Sequence, residues 1–216
     1  GSVFINDDTT GFPAAVLSAV TGAVLHFRQP FPAGEPGDVL NTGESCFVGV
    51  DGATSTLNFF NPSGVLVATS TLAFTEVMGT NKTTTFYVGK KGGGAVPSAV
   101  TTVSALGVQG PTTWTFASAG LTGMAPSPDE TILYYAGSGG SSNASVKRWD
   151  LVNNVALADL VVGGLVGFTT NDIVVLSDGT LLVQYYKAAE TQVIHYSAAG
   201  ATLNTLLGQV EFSMST

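Results

Sequence analysis

Few residues of this chain have the type and spacing to do chemistry. Three carboxylates, Glu76, Asp172 and Glu211, lie in or beside segments that read as strands. Brought around one centre they could divide the acid and base roles that cleavage of a glycosidic bond needs, but the sequence does not fix their separation. Asp7 and Asp8 are adjacent in a polar stretch and could help bind a cation, though neighbouring carboxylates point in different directions. The other acids mostly occupy turns, as in Asp51-Gly52, Asp129-Glu130 and Asp178-Gly179, where Asp and Gly are explained by turn geometry alone. His26 and His195 sit in apolar strand patterns, Leu25-His26-Phe27 and Ile194-His195-Tyr196, and read as structural side chains. The single cysteine, Cys46, lies in an apolar run and reads as a small buried hydrophobe. No Ser-His-Asp signature and no zinc-ligand spacing is present. Gly92-Gly93-Gly94 opens no helix, so it is not a phosphate cradle. The sequence therefore names no catalytic residue, no metal ligand and no cofactor.

What must position these residues is a repeat. An apolar, often aromatic run meets a turn at Gly or Asn and a second apolar run follows. The copies end at Gly22, Gly64, Gly107, Asn153 and Gly200, at steps of 42, 43, 46 and 47 residues. Short β-branched and aromatic runs bounded by Gly, Pro, Asn and Asp supply several strands per copy. A period in the forties with several strands per unit is the mark of a β-propeller blade. The fold expected is all-β: a single five-bladed propeller of four-stranded antiparallel blades spanning residues 1–216. Residues 14–23 have some helical spacing, but their Val and Thr content favours a strand. Residues 30–37, rich in Pro and Gly, read as the loop between the first two blades.

The fourth and fifth units are the clearest. In the fourth, the four strands centre on Gly123-Met124-Ala125-Pro126, Ile132-Leu133-Tyr134-Tyr135, residues 146–151 and residues 155–161. In the fifth they are residues 173–176, 181–186, 192–196 and 202–207. The first unit has no evident first strand. The C-terminal segment has a surplus one, in which Val210, Phe212 and Met214 alternate at period two. The expectation is that this strand joins the first blade and closes the ring, removing exposed sheet edges. Gly1-Ser2 matches the residues a protease leaves after removing a tag, so the chain could be one domain of a longer protein.

Two segments carry a resemblance. Pro126-Ser127-Pro128-Asp129-Glu130-Thr131-Ile132-Leu133-Tyr134-Tyr135 is similar to the SPDG-type turn and strand of the NHL, YVTN and gluconolactonase-like propeller superfamilies. Val174-Val175-Leu176-Ser177-Asp178-Gly179-Thr180-Leu181-Leu182-Val183 resembles their DG-containing strand pair. The likeness covers the fourth and fifth units well and the first three by spacing. It implies fold more than function. The gluconolactonase-like enzymes place a metal-binding Asp at the end of the strand after this turn. The corresponding place here reads Tyr134-Tyr135-Ala136-Gly137, without a carboxylate, which argues against their metal-dependent chemistry.

Composition narrows the partners. Only 10% of residues are charged and the net charge is −8, with seven Lys and Arg in all, so a footprint for nucleic acid is lacking. An anionic membrane is an equally poor partner, and no run of about 18 apolar residues spans a bilayer. A surface built from Thr, Ser, Asn and Gly is common on extracellular and virion β proteins. Asn81-Lys82-Thr83 and Asn143-Ala144-Ser145 match the N-glycosylation pattern, which needs a secretory setting to matter. Loops joining second and third strands are long and gather on one face with the connections between blades. Lys90, Lys91 and Lys187, three of the five lysines, fall there, with Tyr135 and Tyr186 ending neighbouring strands. The expected function is a non-enzymatic binding or structural module, with Asp7, Asp8, Lys90, Lys91, Tyr135, Tyr186 and Lys187 contacting a glycan or protein partner. The alternative is a propeller hydrolase, lactonase-like or glycosidase-like, using carboxylates at the channel.

Overall fold

The structure, a computed structural model, describes residues 2–5, 15–18, 24–27, 36–41, 47–51, 56–60, 66–71, 77–80, 85–90, 98–104, 106–116, 121–137, 145–161, 165–187 and 190–208. All regular structure among them is β. The first sheet is β1 (Ser2–Ile5), β2 (Ala15–Ser18) and β3 (Val24–Phe27). The second is β4 (Pro36–Asn41), β5 (Phe47–Asp51), β6 (Thr56–Phe60) and β7 (Leu66–Thr71). The third holds β8 (Val77–Thr80), β9 (Thr85–Lys90), β10 (Ser98–Ser104) and β11 (Gln109–Phe116). The fourth holds β12 (Leu121–Pro126), β13 (Ile132–Gly137), β14 (Val146–Asp150) and β15 (Val155–Val161). The fifth holds β16 (Thr169–Val175), β17 (Leu181–Lys187), β18 (Glu190–Tyr196) and β19 (Thr202–Gly208).

Each sheet is an antiparallel meander in sequence order. The repeat read from the sequence thus matches five sheets, four with four strands and the first with three among the described residues. Residues 209–214, expected to supply the missing strand, lie outside the described residues. Residues 30–37 are not all loop: Pro36 and Gly37 open β4, with Pro at a strand's first position, where its missing N–H is tolerated.

First strands lie side by side: β8 packs beside β4, and β12 between β8 and β16. The second to fifth sheets therefore stack face to face in sequence order. This explains the near-continuous apolar runs. In β13, Leu133 and Tyr135 face the third sheet and pack with Tyr87, Val100, Trp114 and Phe116. Tyr134 and Ala136, one residue on, face the fifth sheet and pack with Ile173, Leu181, Val183 and Tyr185. Period-two alternation divides one strand between two cores. Phe59 of β6 meets Phe86 of β9 at 5.9 Å between centroids in the seam between the second and third sheets.

The turns between third and fourth strands of the third and fifth sheets follow one design. In residues 104–108, Gly107 N–H donates to Ser104 C=O, and Ser104 Oγ accepts from Leu106 and Val108 N–H. In residues 197–201, Gly200 N–H donates to Ser197 C=O, and Ser197 Oγ accepts from Ala201 N–H. Gly107 and Gly200 hold φ of 77° and 85°, in the left-handed region that glycine tolerates. The fourth sheet departs from this by one residue. Asp150 takes the place of the serine, accepting from Val152 and Asn153 N–H, and the left-handed residue is Asn154 (φ 56°) instead of the expected Asn153.

Candidate interaction faces

In an antiparallel meander, turns after the first and third strands share one edge of the sheet, and the loop after the second strand shares the other with the connection to the next sheet. The molecule therefore has a turn face and a loop face.

On the loop face, Lys187 and Glu190 stand opposite one another at the tip of the β17–β18 hairpin. Lys187 is exposed, and its ammonium lies 5.5 Å from the centroid of the buried Phe168 ring. Gly167 makes room for it, since a Cβ there would lie 3.1 Å from Lys187 Nζ. Gln192 donates to Glu190 Oε1 at 2.8 Å. Tyr186, half-buried, lies opposite Thr191, and its carbonyl accepts from Thr169 Oγ1 at 3.4 Å. Lys187, Glu190 and Gln192 share the face toward the fourth sheet and form a polar corner beside Phe168, while Tyr186 and Thr191 stand on the opposite face. The connection between second and third strands, expected to be long, is short here: the strands run to Lys187 and resume at Glu190.

Lys90 is the last residue of β9, paired with Ala99, and so belongs to a strand end and not to a loop. Asp7, Asp8 and Lys91 lie outside the described residues. Tyr135 corrects the sequence expectation. It is 5% exposed, and its ring stacks on Phe116 with centroids 4.7 Å apart. β13 runs two residues further, to Gly137, so Tyr135 sits inside the sheet and its ring serves the core.

Of the carboxylates weighed for hydrolysis, Asp172 lies in β16, next to a bulge, and its Oδ1 accepts from the N–H of Ile173 at 2.8 Å. Glu76 and Glu211 lie outside the described residues, as does Cys46. Among the described residues, no three His, Cys, Asp or Glu side chains gather closely enough to hold a metal ion.

The turn face is held by a second repeated device. Asp129 accepts from Ser127 Oγ at 2.6 Å and from the N–H and hydroxyl of Thr131. Asp178 accepts from the N–H and hydroxyl of Thr180, the latter at 2.7 Å. Because the one Thr180 hydroxyl proton goes to Asp178, the 2.9 Å contact between His195 Nε2 and Thr180 Oγ1 makes His195 the donor. His195 is thus the structural side chain the sequence implies. The Ser127 hydrogen bond leads the several that hold the Asp129 carboxyl below its usual value. Those from Thr180 do the same for Asp178, and those from Asn153 for Asp150. Glu130 occupies the left-handed position (φ 58°) that Gly179 fills in the fifth sheet. Its Oε2 accepts a 3.4 Å hydrogen bond from Tyr87 of the third sheet. Burial, with the charge of Glu130, pushes the Tyr87 phenol well up.

Neighbouring sheets are latched at these turns. Trp114 Nε1, on the outer strand β11, donates to Leu151 C=O, where β14 turns toward β15. Gly200, in the equivalent turn of the fifth sheet, lies against the Leu160 carbonyl of β15. The sequence gives little sign of these latches, because Trp114 and Leu160 look like ordinary apolar strand residues.

No protein-family profile matches the chain, and no curated protein does. Among solved structures, the chain is similar to Kuenenia stuttgartiensis hydrazine synthase, with a TM-score of 0.68 at 14% identity, covering 93% of this chain and 61% of that one. It is also similar to the WD40 β-propeller domain of Doa1, with a TM-score of 0.62 at 13% identity, covering 85% of this chain and 57% of that one. The chain thus spans about six tenths of the length of each. At these identities the likeness is one of fold, and that fold is the β-propeller.

Proposed function

We propose that this propeller is a binding module for a protein partner, and that it engages the partner through the loop face. The observation carrying this reading is the β17–β18 tip. There an exposed cation, a carboxylate and an amide share one face of paired strand ends beside the Phe168 ring, and a half-buried Tyr occupies the other face of the same strand end. Presentation on paired strands lowers the ordering cost of association, and Tyr supplies contact area with a polar end. Lys187, Tyr186 and Lys90 are the described residues of this face, with Lys91, Asp7 and Asp8 assigned to it from their place in the repeat.

The reading includes a five-bladed ring closed by residues 209–214 pairing with the first sheet. What supports closure is the far face of the fifth sheet. Gln184, Thr191 and Val193 point away from the fourth sheet, yet are 3%, 1% and 4% exposed. In a ring, the first blade provides the cover such burial demands. Deleting residues 209–216 is expected to cause aggregation or a large fall in Tm. A deletion variant as stable and monomeric as the parent would count against closure.

The functional test is a pull-down with the full chain and with Lys187→Ala, Tyr186→Ala and the Lys90→Ala/Lys91→Ala pair. Each is expected to weaken capture of the same partner while leaving Tm unchanged. Normal capture by all three would refute the loop-face assignment. A Tm rise of several degrees with Ca²⁺ or Zn²⁺, reversed by chelator, would favour metal-dependent hydrolysis instead.

A further inference from the structure

We propose that the turn face is a second docking surface, distinct from the loop face, and that it takes a polypeptide segment carrying Lys or Arg beside aliphatic side chains. Six large apolar side chains stand exposed among the described residues, and five lie in or just after the third turns of successive sheets. They are Leu106 and Val108 in the third sheet, Val152 and Val155 in the fourth, and Leu203 in the fifth, at 74%, 65%, 72%, 48% and 55% exposure. The sixth, Val166, is in the connection between β15 and β16. Random scatter would not place five of six on one edge, and clustered exposed apolar groups mark interaction sites.

The charge on this face selects the partner. Asp129, Glu130, Asp150 and Asp178 all belong to its turns, and no Lys or Arg occurs in residues 104–108, 127–131, 150–155, 176–180 or 197–201. Lys82, between β8 and β9, lies outside the described residues. A basic segment gains from these carboxylates, whereas an anionic membrane and the same face of a second copy are repelled. The turns are also stiff, tied by the side chains of Ser104, Asp150 and Ser197 to their own backbone N–H groups. The latches that seat one sheet's turn on its neighbour's outer strand fix their relative positions. The aliphatic groups are therefore pre-placed along a rim that an extended chain can follow.

The test uses a fluorescein-labelled peptide of alternating Lys and Val, about ten residues long, titrated into the full chain by fluorescence anisotropy at low salt. Alternating Lys–Ser and Glu–Val peptides are the controls. The expected result is binding of the Lys–Val peptide alone. It should weaken about tenfold or more for Leu106→Ser with Val152→Ser, weaken for Glu130→Gln, and weaken with added salt. Lys187→Ala should leave it unchanged, which separates this surface from the loop face. Absence of binding by the Lys–Val peptide, equal binding of the Lys–Ser peptide, or loss with Lys187→Ala would overturn the proposal. So would concentration-dependent self-association abolished by Leu106→Ser, which would make a second copy the occupant.

Discussion

Gly179 and Gly200 offer a controlled pair of perturbations, because both hold positive φ (83° and 85°) but only one is crowded. At Gly179 an added Cβ meets nothing nearer than Ala198 Cβ at 3.9 Å. Gly179→Ala thus carries only the left-handed penalty of about 1–2 kcal/mol, offset by about 0.5 kcal/mol from a less flexible unfolded chain. The net loss is about 1 kcal/mol. At Gly200 the same Cβ runs into the Leu160 carbonyl of the neighbouring sheet, with Leu160 Cγ at 3.2 Å. Backbone cannot swing aside as a side chain can, so overpacking adds about 2 kcal/mol and the total reaches about 3 kcal/mol. For a chain of this size, each kcal/mol moves Tm by about 2–4 °C. Gly179→Ala should therefore lower Tm by roughly 3 °C and Gly200→Ala by roughly 9 °C, read by calorimetry or far-UV circular dichroism. If the two variants melted together, the latch between the fifth sheet's third turn and β15 would be refuted, and with it the stacking of sheets described above.

Phe116→Ala should cost about 3–5 kcal/mol, since a ring 1% exposed and packed on both Tyr135 and Trp149 leaves a large void; denaturant unfolding measures this. Trp114→Phe should cost about 1 kcal/mol by the same assay, through loss of the indole hydrogen bond to Leu151. Asp129, Asp150 and Asp178 are held below the usual Asp value of 3.8, so the unfolded chain takes up protons first as pH falls. Their contribution is complete well above the unfolded Asp value of 3.8 and is lost as pH falls below it through the lowered folded-state values; replacing all three by Asn should flatten this part of the Tm–pH profile. Nitrogen NMR of His195 should find its proton on Nε2 when the ring is neutral, and Thr180→Val should remove that preference.

The repeat was legible because a β meander imposes strand length and turn chemistry on the chain at every copy, so Gly107, Gly200 and Asp178-Gly179 mark real turns. The one-residue displacement to Asn154 was not, since an Asp side chain can lengthen the turn that Ser closes. Tyr135 was misread for a related reason. A strand covered on both faces shows no alternation, so the sequence cannot tell a Tyr that ends a strand at the surface from one stacked in a seam. Ala188-Ala189 carries none of the usual turn residues, so the short connection between Lys187 and Glu190 is not marked in the sequence. The turn face is not legible in the sequence, because Leu106, Val152 and Leu203 are indistinguishable there from core residues.

Ring closure tests the whole reading most directly, through spin-label distances between equivalent positions of the sheets. With Cys46 replaced, one pair of labels joins Ser18 at the end of β2 to Ala198 beyond β18, and a second joins Leu106 beyond β10 to Ala198. In a closed five-bladed ring the first and fifth blades are neighbours while the third and fifth are two apart. The Ser18–Ala198 distance is therefore expected to be the shorter of the two. A Ser18–Ala198 distance longer than the Leu106–Ala198 distance would mean an open arc and contradict it.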